Sequence, residues 1–500
     1  MNKEITLTIC PNGAAVHPYE PIPPTHTIHC IGKHPQYSFT ADGNGWREEM
    51  LTNINHIATV PDTPTSKLKS SMGNSKISIP PDGFLKAKQK LYRHDVLAIG
   101  PLYADLKTKS SFDDRKAHCV KKFLERHGKP EVQELIKHLI PHPNDLNKHY
   151  SSLPIKYTSE SLQLLVTIDT VFIHEFLLFW STSYLNYKPM EHDYLFTSFH
   201  NEVECNRVWR DLFLIGNQIP MSFLHKITEF RNIAGLKVKD LQRVLIDIVL
   251  RNCPFPMGYN DWHKNFQYPS LHNCTHLLDC QYVLVTQGLH EHKRSPQLQD
   301  HWRVNQGARR LPSKHRDRLP TASQLSKVGI SFKAHPGGTS VMKYHRGKLQ
   351  LDLPRLVVYE GTEDVLRNLL AYEQTSKAEG EFTMYAVIMD SLIDTQEDLA
   401  ILTKARVIDN HLGDDKSLVK MWNKLCTNIV IRSCGRWDNM KCNVMQHYHS
   451  PWRSMYVEFR EKYFSRPWLT ASVIAAVLVL IFTLVQTVYT ILDNMNPPAV

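Results

Sequence analysis

Residues 162–179 read LQLLVTIDTVFIHEFLLF. Apolar side chains fall at nearly every angle of the helical wheel. A helix here has no face to offer water and must be buried all round. Its polar exceptions are Asp169, His174 and Glu175. Asp169 and Glu175 stand six residues apart, about 600° of rotation at 100° per residue, so they leave the helix on different faces and make no acid/base pair. Both are read as structural, because a carboxylate among apolar side chains has to find a partner.

Other elements follow outward from this helix. Asp113–His127 carries Val120, Phe123 and Leu124 among charges, the pattern of an amphipathic helix. The apolar run Asp211–Ile215 breaks at Gly216-Asn217-Gln218-Ile219-Pro220, and Pro220 suits the first position of a following helix. Asn217 and Gln218 at that junction are read as amides that satisfy backbone groups. Leu349, Leu351 and Leu353 alternate with Gln350 and Asp352, the period of a strand, with His345–Lys348 as the preceding turn. Pro354 limits that strand to an edge or ends it. Thr362 is expected to cap a helix with Glu363 and Asp364 in its first turn. Thr395-Gln396-Glu397-Asp398 has the form of a capping box with Asp in the acidic position. The expected fold is mainly α: a large helical domain with a small β-hairpin or sheet, a disordered N-terminal tail and one C-terminal transmembrane helix.

The chain has 500 residues, 42% hydrophobic and 22% charged, with a formal net charge of +10. Its mean hydropathy of −0.34 excludes a polytopic membrane protein but not a single span. Pro467–Leu492 holds no charged residue. Its length as a helix, about 39 Å, crosses a ~30 Å hydrocarbon core with some tilt. Trp468 and Tyr489 near its ends suit the membrane interface, and Arg466 precedes it. Arg453, Arg460, Lys462 and Arg466 lie before the span and only Asp493 after it, so the bulk of the chain is expected on the cytosolic side. The N-terminus has no apolar run of signal-peptide length. The expected divisions are 1–76, a disordered Pro/Thr/His-rich tail; 77–450, the helical domain with a basic loop at about 287–318; 451–466, a basic juxtamembrane segment; 467–492, the span; and 493–500, a short tail.

Known chemistry is not written in the chain. No P-loop, HExxH or GxSxG pattern occurs. His272, Cys274, His276 and Cys280 cluster, as do Cys434, Cys442, His447 and His449, but neither group has the paired spacing of a zinc site. The ten cysteines form no framework and are read as reduced thiols, and the Asn273-Cys274-Thr275 sequon as unused. The basic residues concentrate in the 293–318 loop and before the span, where they suit lipid headgroups at least as well as nucleic acid. Nucleic acid is not an expected partner; a membrane and a protein are.

Several segments together resemble one family. Ile99-Gly100-Pro101 resembles its "SIGP" segment, and Asp169 to Leu177, with Phe172 and Glu175, its "DGCFIxELL" helix. DLFLIGNQIP at 211–220 is similar to "DLLLLENQLP", and His276-Leu277-Leu278-Asp279 to "HLLD". Leu319–Phe332 resembles "IPSATELxxAGVxF". Arg367-Asn368-Leu369-Leu370-Ala371-Tyr372-Glu373-Gln374 resembles "RNLIAFEQ", and Ser391 to Asp398 "LIDTxEDV". These stand in unbroken order, with Arg466-Pro467-Trp468 introducing the span, and resemble the plant domain-of-unknown-function 247 family, also called uncharacterised protein family 0481. The chain departs from the pattern at Tyr92-Arg93-His94, Leu102-Tyr103-Ala104 and Asp169-Thr170-Val171, so no role of the usual His and Cys residues carries over.

The resemblance implies a land-plant origin, a C-terminal membrane anchor, no established catalytic activity, and, for some grass members, a pollen-side part in self-incompatibility. The expected function is a membrane-anchored, non-enzymatic interaction or signalling protein. A tail-anchored enzyme of an unrecognised class is the alternative. No catalytic, cofactor or metal residue is expected. Gly100, Pro101, Asp169, Phe172, Glu175, Asn217, Gln218, Pro220, Arg367, Asn368, Glu373 and Asp398 are read as structural, with Arg367 and Asn368 the expected partners of Asp169. The membrane is expected to be the plasma membrane rather than an endomembrane.

Overall fold

The computed structural model describes residues 77–103, 111–128, 132–151, 153, 159–184, 202–230, 238–257, 274–287, 318–376, 380–431, 435–450 and 467–495. The expected tail (1–76), most of the basic loop (288–317) and the juxtamembrane segment with Arg466 lie outside them. Helices run in chain order as α1 (Asp82–Lys88), α2 (Ser111–Arg126), α3 (Val132–Leu139), α4 (Ser159–Tyr184), α5 (Glu202–Leu212), α6 (Met221–Glu229), α7 (Val238–Arg251), α8 (Leu277–Gln287), α9 (Ala322–Lys327), α10 (Thr362–Thr375), α11 (Glu381–Leu392), α12 (Gln396–Lys404), α13 (Asp415–Leu425), α14 (Gly435–Tyr448) and α15 (Pro467–Met495). The strands are β1 (Ser331–His335), β2 (Lys343–His345), β3 (Gln350–Pro354), β4 (Leu356–Val358) and β5 (Ile408–Asn410).

The all-round apolar sequence of α4 has the expected consequence: α2, α3, α6 and α7 all pack on it. Phe172 and Phe176 stack with centroids 6.1 Å apart, and Phe176 meets Trp209 of α5 at 4.8 Å. Each such ring, taken wholly from water, contributes about 1.5–3 kcal/mol before entropy is counted. A second helical layer is centred on α11, whose residues Phe382 to Leu392 are all buried. It packs on α10 and α13, while α8 contacts α7 on one side and α10 on the other.

β2 and β3 form the expected hairpin, but β3 is the middle strand of its sheet. β1 runs parallel along its other edge, Phe332 opposite Leu351. Pro354 therefore ends a central strand instead of marking an edge one; it is still paired opposite His335 of β1, while the pairing with β2 reaches only Asp352. β4 and β5 pair separately in parallel. The capping box at Thr395 is present: Thr395 accepts from the Asp398 amide and Asp398 from the Thr395 amide. Two junctions differ from expectation. Thr362 is the first helical residue rather than the cap, because its hydroxyl is used in the preceding turn, accepting from the Tyr359 amide and donating to the Val357 carbonyl. Pro220 is the residue before α6 rather than its first, and holds an extended conformation.

Among the described residues, two helices are long and apolar enough to cross a membrane. Ser159–Phe179, within α4, is 83% buried in the protein, which makes it core; Ala471–Leu492, within α15, is not buried at all.

Candidate functional site

The motif residues converge on a strap of chain, Lys90 to Pro101, which from His94 to Ile99 has no regular secondary structure and yet buries Leu97 and Ile99 completely. Buried backbone groups must be satisfied, and no sheet ladder does it here. Side chains from four helices and one loop do it instead. Asn368 of α10 donates to the Leu91 carbonyl at 3.1 Å, and Arg210 of α5 to those of Lys90 and Arg93. The Asp211 carboxylate accepts the amides of Asp95, Val96 and Leu97 at 2.8–2.9 Å. Asn217 donates to the Leu97 carbonyl and accepts the Ile99 amide at 2.7 Å. Lys116 of α2 donates to the Ala98 carbonyl, and Asp169 of α4 accepts the Gly100 amide at 2.8 Å.

Asp169 and Lys116 form an ion pair at 2.6 Å, both side chains almost wholly buried. Burial raises the Asp169 pKa, opposed by Lys116 and the Gly100 amide. Arg367 and Asn368, the expected partners of Asp169, are engaged elsewhere. Arg367 pairs with Glu363 one turn back and donates to the Lys424 carbonyl; Asn368 accepts the Ile215 amide at 2.9 Å. Lys116 was hidden by its charge. A signal existed, since it falls between Phe112 and Val120 on the stripe that α2 buries. Gly100 has φ +69°, and a Cβ there would lie 2.5 Å from the Gln218 carbonyl oxygen. Gln218 in turn donates to the Leu212 and Leu214 carbonyls and accepts the Leu278 amide. Both Asn217 and Gln218 thus direct their amides to backbone groups. Pro101 is buried beside Gly100.

Of the remaining motif residues, most cap helices, while the buried Glu175 forms an ion pair. Glu373 accepts the Phe382 and Thr383 amides at 2.9 and 2.6 Å, satisfying the start of α11, and takes a short hydrogen bond from the Tyr282 hydroxyl. His276 accepts the Asp279 amide, while Asp279 accepts from the Thr275 amide and the Tyr372 hydroxyl. Burial lowers the His276 pKa to about 4, against the pull of Asp279. Asp398 is also buried, which raises its pKa, but the hydrogen bonds from Ser323 at α9 and from Thr395 prevail and hold it at about 2. Glu175 pairs with Arg126 and meets His174 at 3.1 Å; these contacts outweigh burial and lower its pKa.

The strap collects Gly100, Pro101, Asp169, Asn217, Gln218 and Asn368, while Glu175, Glu373 and Asp398 sit at separate joints. Phe172 is in the aromatic core, and Tyr489 is exposed on α15. Among the described residues no group of three or more His, Cys, Asp or Glu side chains is arranged to hold a metal; His272 and Cys434 lie outside them. An open depression of about 470 Å³ between the start of α12 and α13 is lined by Thr395, Lys416, Lys420 and Lys424 among others, and by none of the motif carboxylates.

A UPF0481 protein of Arabidopsis thaliana is 24% identical over 430 residues, covering 83% of this chain and 86% of that protein. A putative UPF0481 protein of the same plant is 23% identical over 410 residues, covering 66% and 74%. No solved structure matches the chain. The match to the family model described as a plant protein of unknown function runs from residue 77, where the described fold begins, to residue 482, inside the exposed helix α15, and the chain therefore belongs to that family, DUF247.

Proposed function

We propose that this protein works as a membrane-anchored recognition or signalling protein, binding another protein through the surface of its helical domain without catalysing a reaction. The observation that carries the reading is the use made of the motif side chains. Asp169, Asp211, Asn217, Gln218, Asn368, Glu373 and Asp398 each accept a hydrogen bond from a backbone group or donate one to it, and their other polar contacts are to neighbouring side chains, such as Lys116, Arg210, Tyr282 and Thr395. Groups held that way build a rigid scaffold and leave recognition to the surface and the loops. The exposed apolar length of α15 supports the anchor. The cations before it favour a cytosolic domain. Discrimination between allelic partners is the form of recognition that the resemblance to grass self-incompatibility determinants adds.

The test is a protease-protection and proximity-labelling experiment on the full-length chain. In intact microsomes the helical domain should be digested from outside, and labelling should return a reproducible set of neighbours. Protection of the domain overturns the orientation, and the absence of any reproducible neighbour overturns the recognition role.

A further inference from the structure

The face of α15 that a bilayer would cover is not uniform. At 100° per residue, Ser472, Ala476, Thr483, Gln486, Thr487 and Thr490 fall, together with Val479, within an arc of about 100°, and the opposite face is Ile474, Leu478, Ile481, Val485, Val488 and Leu492. The three threonines satisfy themselves within the helix. Thr483, Thr487 and Thr490 donate to the carbonyls four residues back, at 2.7, 2.7 and 2.9 Å. Gln486 differs. Its side chain is exposed, and its carboxamide has no hydrogen-bond partner among the described residues. It stands six residues, about 9 Å, inside the Leu492 end of the apolar stretch, within hydrocarbon if α15 spans. There two N–H donors and one carbonyl oxygen have no water, and leaving them unmade costs several kcal/mol.

We infer that α15 pairs in the membrane with α15 of a second copy of this chain, through reciprocal hydrogen bonds between the two Gln486 carboxamides. The inference rests on the reading of α15 as membrane-spanning. Two copies of one chain insert in the same direction, so their helices are parallel and equal residues lie at equal depth. Gln486 therefore meets Gln486, whereas any other partner must bring a polar group to that depth. A carboxamide is both donor and acceptor, so two of them can bond reciprocally about a two-fold axis, each using its carbonyl and one of its two N–H groups. Along the same face Ala476 lets the backbones approach, as close helix packing in lipid requires. The stripe is uncharged, so like copies do not repel.

The test uses the full-length chain, co-expressed in membranes with two different tags. The two forms should capture each other in mild detergent, and Gln486→Leu should weaken this about 3- to 30-fold, the range measured for polar contacts between membrane helices. Mild oxidation of Thr487→Cys should give a chain-to-chain disulfide above the background of the native cysteines, and Val485→Cys, on the opposite face, should not. Alkaline extraction of the same membranes separates the two possible failures. If the chain is released, the membrane reading fails and the pairing with it. If it is retained while Gln486→Leu captures its partner undiminished, or while Val485→Cys crosslinks as well as Thr487→Cys, the pairing is wrong and the anchor stands. A Gln486-dependent crosslink to a protein of another mass overturns the second copy as occupant.

Discussion

The Gly100 amide donates to the Asp169 carboxylate at 2.8 Å, joining the end of an irregular strap to the middle of the most buried helix. The other Asp169 oxygen holds Lys116 of α2 at 2.6 Å. One carboxylate thus fixes three segments that are remote in sequence, inside a core that offers no water to replace any of them.

Removing that carboxylate should be severe. Asp169→Ala leaves the Lys116 ammonium buried without its counter-charge and the Gly100 amide without an acceptor. We expect a loss of about 3–5 kcal/mol, read from urea or thermal unfolding of detergent-solubilised protein. The double variant Asp169→Leu with Lys116→Met should recover a large part of it, because no isolated charge remains. An unchanged Asp169→Ala melting temperature would rule out a buried network at this point.

Gly100→Ala tests the strap by sterics alone. A Cβ would lie 2.5 Å from the Gln218 carbonyl oxygen at a φ of +69°. The left-handed conformation and the close contact together predict a loss of roughly 2–4 kcal/mol. Gly413 has a similar φ of +73°, and a Cβ added there would meet nothing within 4 Å, so Gly413→Ala should lose only the conformational part. Equal losses at the two sites would contradict the contact.

His276 predicts an acid-sensitive joint. Its folded pKa, about 4, lies below the ordinary 6.5 because burial disfavours the imidazolium. A depressed pKa means the unfolded chain takes up the proton first. The stability is complete above pH 6.5 and is lost as the pH falls from there to about 4, by up to about 3 kcal/mol. His276→Asn keeps a side-chain acceptor for the Asp279 amide and cannot titrate. Its stability should fall less than the parent's across that window by the His276 share, since His94 and His127, whose pKa values burial also lowers, still titrate there; unfolding of both proteins at pH 7, 5.5 and 4 measures this.

Asp398 predicts a second acid step at lower pH. Its folded pKa of about 2 lies below the ordinary 3.8, so its contribution is present above about pH 4 and is lost as the pH falls through 2. Thr395→Ala removes one of its donors and the cap of α12 together, at a cost of about 0.5–2 kcal/mol at pH 7. That cost should shrink as the pH is lowered through the same window. A pH-independent cost would assign it to the Thr395 hydroxyl alone.

Local features were legible wherever a short segment decides its own conformation. The Thr395–Asp398 box, the hairpin before Leu351, the amide pair at Asn217 and Gln218, and the two long apolar helices all follow from spacing and propensity. Lys116 was not legible, because a lysine on a helix is ordinarily solvated, and only the position of Phe112 and Val120 on either side hints otherwise. Nor was the place of β3, whose leucine alternation is the same in an edge strand and a central one.

The sequence by itself determined that 162–179 is a buried helix and that 471–492 is apolar enough to span, since both follow from the absence of a polar face. It also marked Asp169 as a carboxylate in need of a partner. Which partner it found was decided by the tertiary structure alone. Arg367, Asn368 and Lys116 are chemically eligible donors, and the choice among them depends on which helices the packing of α4 brings within hydrogen-bonding reach. A hydrogen bond is too short-ranged to be read from a chain in which Lys116 and Gly100 stand far from Asp169 and have no periodic relation to it.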